Sequence, residues 1–179
     1  MQLSEHFTLE ELIYSDTAKR YGINNTPPMV HEGALKHTCL YLLEPLRALL
    51  NVKYVGRLIG AKVITKVLIK ITSGYRSEKL NTKVGGAKNS QHLSGEACDC
   101  EAVFIFTDGS KQVLNYMALF ADIKQFCNDG LLAVDQCIQE KSGAAVWVHV
   151  SHHPSGKTLD RRQFLKYNNG KYTLDVDLP

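Results

Sequence analysis

No stretch of the chain approaches the ~20 consecutive apolar residues that a membrane-spanning helix needs, so a helical membrane span is excluded from the sequence. The N-terminus, Met1-Gln-Leu-Ser-Glu-His6, lacks the basic start and apolar core of an export signal, and synthesis in the cytoplasm is the expectation. Charge of one sign is also scarce. Lys and Arg number 21 against 18 Asp and Glu, and the net +3 is too small to argue for a nucleic-acid partner. Cysteine is present but odd in number, so the five thiols cannot all pair within one chain, and reduced thiols are the reading. No internal repeat, low-complexity tract or long linker interrupts the sequence. Collagen, coiled coil and disulfide mini-protein are thereby excluded.

What is present is the composition of an ordinary globular domain, 44% hydrophobic and 22% charged over 179 residues. A chain of this length buries roughly two-thirds of its unfolded surface and needs no metal or disulfide merely to hold a core. Any metal it binds is then there for chemistry. A single domain over residues 1–179 and a monomeric state are expected.

Local signals divide the chain into helices and strands. Thr8-Leu9-Glu10-Glu11 has the form of a capping box, with Phe7 and Leu12 placed as a hydrophobic staple. Asn24-Asn25-Thr26-Pro27-Pro28 breaks the chain. Between Pro28 and Leu50, Leu35, Leu42, Leu46 and Leu49 recur at helical spacing and predict the longest helix, kinked at Pro45. Val67 to Ile71 predicts a strand ending at Thr72-Ser73-Gly74, followed by a helix after Ser77 with Leu80 and Val84 inward. The basic stretch Lys53 to Lys66 reads as a hairpin or a lengthened helix exit. Ala97 to Phe106 predicts a strand. Ser110 is expected to cap a helix to Cys127, with Val113, Met117, Phe120 and Ile123 inward and Gly130 as terminator. Strands are expected near Leu132–Glu140 and Ala144–Ser151, and a last one at Tyr172–Val176. Strands grouped with separate helices, without strict alternation, predict an α+β domain with a largely antiparallel central sheet and flanking helices.

The residues suited to chemistry are His92, Asp99 and His149. The first two lie in Ser90-Gln91-His92-Leu93-Ser94-Gly95-Glu96-Ala97-Cys98-Asp99 and the third in Trp147-Val148-His149-Val150. Two imidazoles and a carboxylate suit Zn²⁺, and three protein ligands leave a fourth position for a water whose pKa falls to about 7. Gly95 predicts a loop that delivers Asp99 at the start of one strand, with His149 on a neighbouring strand. His152 falls on the opposite strand face from His149 and is not expected as a ligand. Cys98 and Cys100 flank Asp99 and should point away from it as buried small hydrophobes.

Ser-x-His-x-x-Gly-x-Ala-x-Asp followed by Trp-Val-His-Val resembles the zinc D-Ala-D-Ala carboxypeptidase family, in particular its small single-domain members from phages and bacteria. The resemblance runs in order from residue 7 to 151. It includes Phe7 to Leu12, Ser15 to Ala18, Asn25 to Pro28, Leu43 to Leu46, Thr72 to Ser77, Leu80-Asn81, Val84 to Gly86 and Val134 to Gln136. Residues 152–179 form a C-terminal extension to it. It implies the fold shared by hedgehog and the D,D-peptidases, one catalytic Zn²⁺ on His92, Asp99 and His149, and action on the stem peptides of peptidoglycan. It further implies Arg76 beside the metal, steadying the scissile carbonyl or a substrate carboxylate, a task that suits a guanidinium fork. Tyr75, Ser90 and Gln91 are the accompanying candidates for substrate contact.

The general base departs from the common family pattern. Many relatives place an acid three residues before the last His ligand, where this chain has Val146. The nearest variant carries its acid at the end of the preceding strand, matching Glu140, with Asp135 as the competitor. Their odd separation puts them on opposite strand faces, so only one can face the metal, and Glu140 is favoured. The reading is a peptidase cutting next to a D-amino acid, as a D,D-carboxypeptidase or an endolysin-type L-Ala-D-Glu endopeptidase. It would reach the wall after phage-type release from the cytoplasm. The alternative is a non-catalytic zinc-containing module that binds cell wall.

Overall fold

A twelve-residue strand rich in β-branched residues sets the frame. The computed structural model describes residues 1–153 and 160–175. Two short helices open the chain, α1 (Leu9–Ile13) and α2 (Asp16–Tyr21), followed by α3 (Met29–Thr38) and α4 (Glu44–Tyr54). The hairpin β1 (Leu58–Ile59) and β2 (Lys62–Ser73) leads to α5 (Glu78–Lys83). Then come β3 (Ala97–Phe106), β4 (Lys111–Val113) and α6 (Tyr116–Asn128). The chain continues through β5 (Gln136–Ser142), β6 (Ala145–Ser151), β7 (Gln163–Asn168) and β8 (Lys171–Leu174).

The strands form one mixed eight-stranded sheet in the order β1-β2-β3-β6-β5-β7-β8, with β4 paired to β3. All pairings are antiparallel except β5 with β7. The architecture is the expected α+β sheet with flanking helices.

Alternation along the strands sorts residues to two faces. Cys98, Cys100, Ala102 and Phe104 of β3, with Val148 and Val150 of β6, point into the core beneath the helices. There α4 packs on β2, and α6 packs on β3, β5 and β6. Asp99, His149, Ile138 and Glu140 point to the other face.

The capping box at Thr8 is formed as expected, with Thr8 Oγ1 accepting from Glu11 N–H and Glu11 accepting from Thr8 N–H. The long helix changes to a wider turn just before Pro45. A π turn at Cys39–Leu43 joins α3 to α4, and Pro45 falls in the first turn of α4. A proline lacks the N–H that a regular helix would require there, and the wider turn absorbs that loss. Leu35, Leu42 and Leu46 are fully buried; Leu49 is only partly so.

Three local expectations are corrected. Ser110 does not cap a helix: residues 111–113 pair with β3 as β4, and Asn115 caps α6 through Met117 N–H. Val113 and Met117 are consequently exposed, while Phe120 and Ile123 are buried as predicted. Val84 is exposed beyond the end of α5. The segment 53–66 is both a helix exit and a hairpin, turning at Gly60, whose φ of +60° lies in the left-handed region that favours glycine. β7 was not visible in the tail's polar composition. β8 ends at Leu174, and Val176 of the expected last strand lies outside the described residues.

Candidate metal centre

One cross-strand row, spanning four strands, runs through the site. Ser73 of β2, Asp99 of β3, His149 of β6 and Ile138 of β5 are direct cross-strand partners. Partners in such a row share a face, so Asp99 and His149 stand side by side by register alone. His92 arrives from elsewhere, on a 3-10 turn at Gln91–Ser94 that ends at Gly95. Gly95 has φ +76°, and a Cβ there would lie 2.7 Å from the His31 carbonyl oxygen. Only glycine fits both constraints. The loop expected between His92 and Asp99 is this turn.

A second glycine fixes the imidazole. His92 Nδ1 lies 2.6 Å from the Gly74 carbonyl oxygen, so Nδ1–H donates and Nε2 is left with its lone pair toward the site. Gly74 itself is pressed against α1: Tyr75 N–H donates to Leu12 O at 2.7 Å, and a Cβ on Gly74 would sit 2.2 Å from that oxygen. Asn25 completes the clamp. Its Nδ2 donates to Ile13 O and Tyr75 O, and its Oδ1 accepts from Ser77 N–H.

The three donor atoms form a nearly equilateral triangle. His92 Nε2 is 3.2 Å from Asp99 Oδ1 and 3.2 Å from His149 Nδ1, and His149 Nδ1 is 3.0 Å from Asp99 Oδ1. A tetrahedral Zn²⁺ with ligand bonds of about 2.0–2.1 Å separates its ligand atoms by roughly 3.3 Å, close to this triangle. All three residues are buried, and among the described residues they are the one His/Cys/Asp/Glu group compact enough to hold a metal ion.

The electrostatics suit a cation. Burial pushes the His92 imidazole below its usual pKa despite Asp99 beside it, which keeps it neutral and able to ligate. Burial opposes ionisation of Asp99, yet the histidines around it hold its carboxyl well below the usual range. Arg76 assists, donating from Nη2 to Asp99 Oδ2 at 2.6 Å and from Nε to Ser73 Oγ at 2.9 Å. Arg76 N–H also donates to His92 O. The arginine predicted to lie beside the metal therefore braces one ligand's carboxylate and another's backbone. Cys98 and Cys100 point away from the triangle into the core, and burial pushes the Cys100 thiol up to about 12.

The triangle opens into a cleft of about 710 Å³. Glu140 lines it together with Arg76, Tyr75, Ser90 and Gln91. Burial and the neighbouring Asp99 raise the Glu140 carboxyl to about 7, with His149 and Arg76 partly offsetting them. Asp135 is placed differently. It is fully buried and gripped by Arg161, from Nε at 2.8 Å and Nη2 at 2.5 Å, and Gln91 Nε2 donates to it at 2.9 Å. Burial opposes its ionisation, but these donors hold it down to about 2. Its oxygens are taken up by Gln91 and Arg161, and the cleft lining includes those two residues and Glu140 but not Asp135. Gln91 thus bonds the Asp135 carboxylate. His152 pairs with Asp160 at 2.6 Å and stacks on His37, apart from the triangle.

Several site residues carried no sequence signal strong enough to single them out. Gly74, Asn25 and Ser73 act through backbone and bracing contacts, and Tyr167 and Tyr172 reach the cleft from β7 and β8. The Asn25-to-Pro28 and Thr72-to-Ser77 motifs contained the first three, but without geometry they read as turns.

A buried His-Asp-His triangle at tetrahedral spacing, opening into a cleft lined by a further carboxylate, Glu140, is a site that could hold a metal ion beside an acid. The family model of Peptidase M15 matches residues 5–135, and the chain belongs to that family of zinc-dependent metallopeptidases. The matched segment contains His92 and Asp99; His149 and Glu140 lie beyond it. Among curated proteins none matches the chain.

Proposed function

We propose that the protein hydrolyses peptidoglycan stem peptides next to a D-amino acid, with His92, Asp99 and His149 holding one catalytic Zn²⁺ and Glu140 as the general base. The observation that carries the proposal is the position of Glu140: an acid lining the cleft, two positions along β5 from the partner of His149. A carboxylate placed beside both the attacking water and the leaving amine can accept a proton from the one and return it to the other.

The bound ion's contribution is Lewis-acid polarisation of the scissile carbonyl and acidification of the attacking water. Glu140 takes the proton from that water and delivers it to the leaving amine. Water's hydroxyl ends on the acyl carbon and its proton on nitrogen, so the C–N bond breaks with no other reactant. Arg76, which lines the cleft, keeps Asp99 oriented through Nη2, and its remaining N–H groups would serve a carbonyl or carboxylate of the substrate. Tyr75 and Ser90 contact the peptide from the rim. Gln91 acts through Asp135, steadying the turn that carries His92. The protein acts on the wall after phage-type release from the cytoplasm.

The rival reading, a zinc-containing wall-binding module without turnover, drew on the lack of an acid at Val146. Glu140 fills that lack from the neighbouring strand. The test is digestion of purified peptidoglycan by the zinc-loaded protein, with mass analysis of the fragments. Shortened or separated stem peptides are expected, and none after chelation. Intact stem peptides with zinc fully bound defeat the proposal and favour the wall-binding module.

A further inference from the structure

Glu140 does not stand alone on its row of the sheet. Trp147 of β6 pairs with it on one side and Tyr167 of β7 on the other, and Tyr172 of β8 pairs with Tyr167. The four residues form one cross-strand row, Trp147–Glu140–Tyr167–Tyr172, and all four line the cleft. The tyrosine rings lie 4.7 Å apart, tilted by 45°. Tyr172 remains 54% exposed and lines the cleft. Two residues along the same two strands, Leu165 and Leu174 pair with each other on the same sheet face, and Leu165 pairs with Ile138, which lines the cleft.

The cations of the cleft lie elsewhere. Arg76 and Arg161 are the only Lys or Arg side chains lining it among the described residues. Arg76 is bound to Ser73 and Asp99 on the far side of the triangle, and Arg161 is bound to Asp135. Among the described residues, the aromatic side therefore offers rings and hydroxyls but no positive charge. A free C-terminal carboxylate seated there would lose hydration without gaining a cation.

From this row we infer that Tyr167 and Tyr172, with Trp147, form the leaving-side subsite, and that it takes an extended, uncharged stretch of peptide rather than a terminal residue. The inference rests on Glu140 being the base. That residue must touch the leaving nitrogen, and strands lie about 4.8 Å apart, so the chain departing from that nitrogen runs onto its ring neighbours. Rings on a sheet face offer a broad apolar surface to aliphatic side chains and peptide planes. The bond cut is then internal to its substrate, and the activity is an endopeptidase rather than a carboxypeptidase.

The test compares two synthetic stem peptides, one with a single residue and a free carboxylate after the scissile bond, the other extended there by neutral aliphatic residues. The expected result is a KM for the extended peptide lower by about tenfold. Tyr167→Ala and Tyr172→Ala should erase that advantage, and Tyr172→Phe should restore it because the ring is kept. Trp147 is the chain's single tryptophan, so its fluorescence reports occupancy of this wall without turnover. Quenching by the extended peptide with no cleavage of either would defeat the peptidase reading and leave the subsite standing. A preference for the short peptide, equal losses on both peptides in the Ala variants, or no quenching would overturn the inference.

Discussion

The two faces of one sheet are built from alternate residues of the same strands, yet they do opposite things. On β3, Cys98 and Cys100 are fully buried in the core, while Asp99 between them faces the cleft. On β6, Val148 and Val150 flank His149 in the same way. Burial on the core side pushes the Cys98 and Cys100 thiols up, leaving them protonated and unable to compete for a metal. On the cleft side the histidines around Asp99 hold it ionised despite its burial. The strand period of two thus lets a run that is apolar at every second position supply both a core and a metal centre. A slip of one residue in register would exchange them.

That comparison can be broken first on the cleft face. His92→Ala, Asp99→Ala or His149→Ala should abolish stoichiometric zinc and reduce hydrolysis by about three orders of magnitude or more. Metal analysis beside far-ultraviolet circular dichroism checks that zinc is lost while the fold remains. Gly74→Ala couples the two faces: its Cβ would meet the Leu12 carbonyl and displace the oxygen that orients His92. Lower stability and weakened zinc binding are expected together, read by denaturant unfolding and zinc titration.

Core substitutions should have the opposite profile. Cys98→Ser or Cys100→Ser introduces a buried hydroxyl at a cost of roughly 1–3 kcal/mol each, while zinc affinity stays unchanged. Equal damage to zinc binding would mean that the faces are not separate.

The smallest effect is one of pH. In the metal-free protein Glu140 binds its proton more tightly folded than unfolded, because burial raises its carboxyl from 4.5 to about 7. Its contribution to stability therefore falls as pH rises from about 4.5 to about 7. Glu140→Gln should flatten that part of the stability profile, measured by urea unfolding without metal. Zinc, as a nearby positive charge, should shift the titration downward.

The sequence carried the cleft face further than its surroundings. His92, Asp99 and His149 were legible because ligand chemistry limits the choice of residue, and Cys98 and Cys100 were placed by parity alone. The preference for Glu140 over Asp135 followed from the family resemblance, parity adding only that one of the two could face the metal; the structure starts β5 at Gln136, just after Asp135, and the grip of Arg161 on Asp135 depends on a contact 26 residues away in sequence. Helix boundaries were missed where tertiary pairing overrode local signals. Ser110 looked like a cap, yet the pairing of residues 111–113 with β3 moved the helix start to Asn115. Gly74 was invisible for a related reason: its role lies in the approach of another backbone, which no neighbour in sequence announces. Tyr167 and Tyr172 stand in a tail whose polar composition hid the pairing of β7 with β5.

The most direct test of the account is a paired comparison of zinc-loaded wild type and Glu140→Gln on peptidoglycan stem peptides, with zinc content measured on the same samples. The account predicts equal zinc and a rate lower by about two to four orders of magnitude in the variant. Equal zinc with undiminished cleavage would contradict it, because the base would then lie elsewhere.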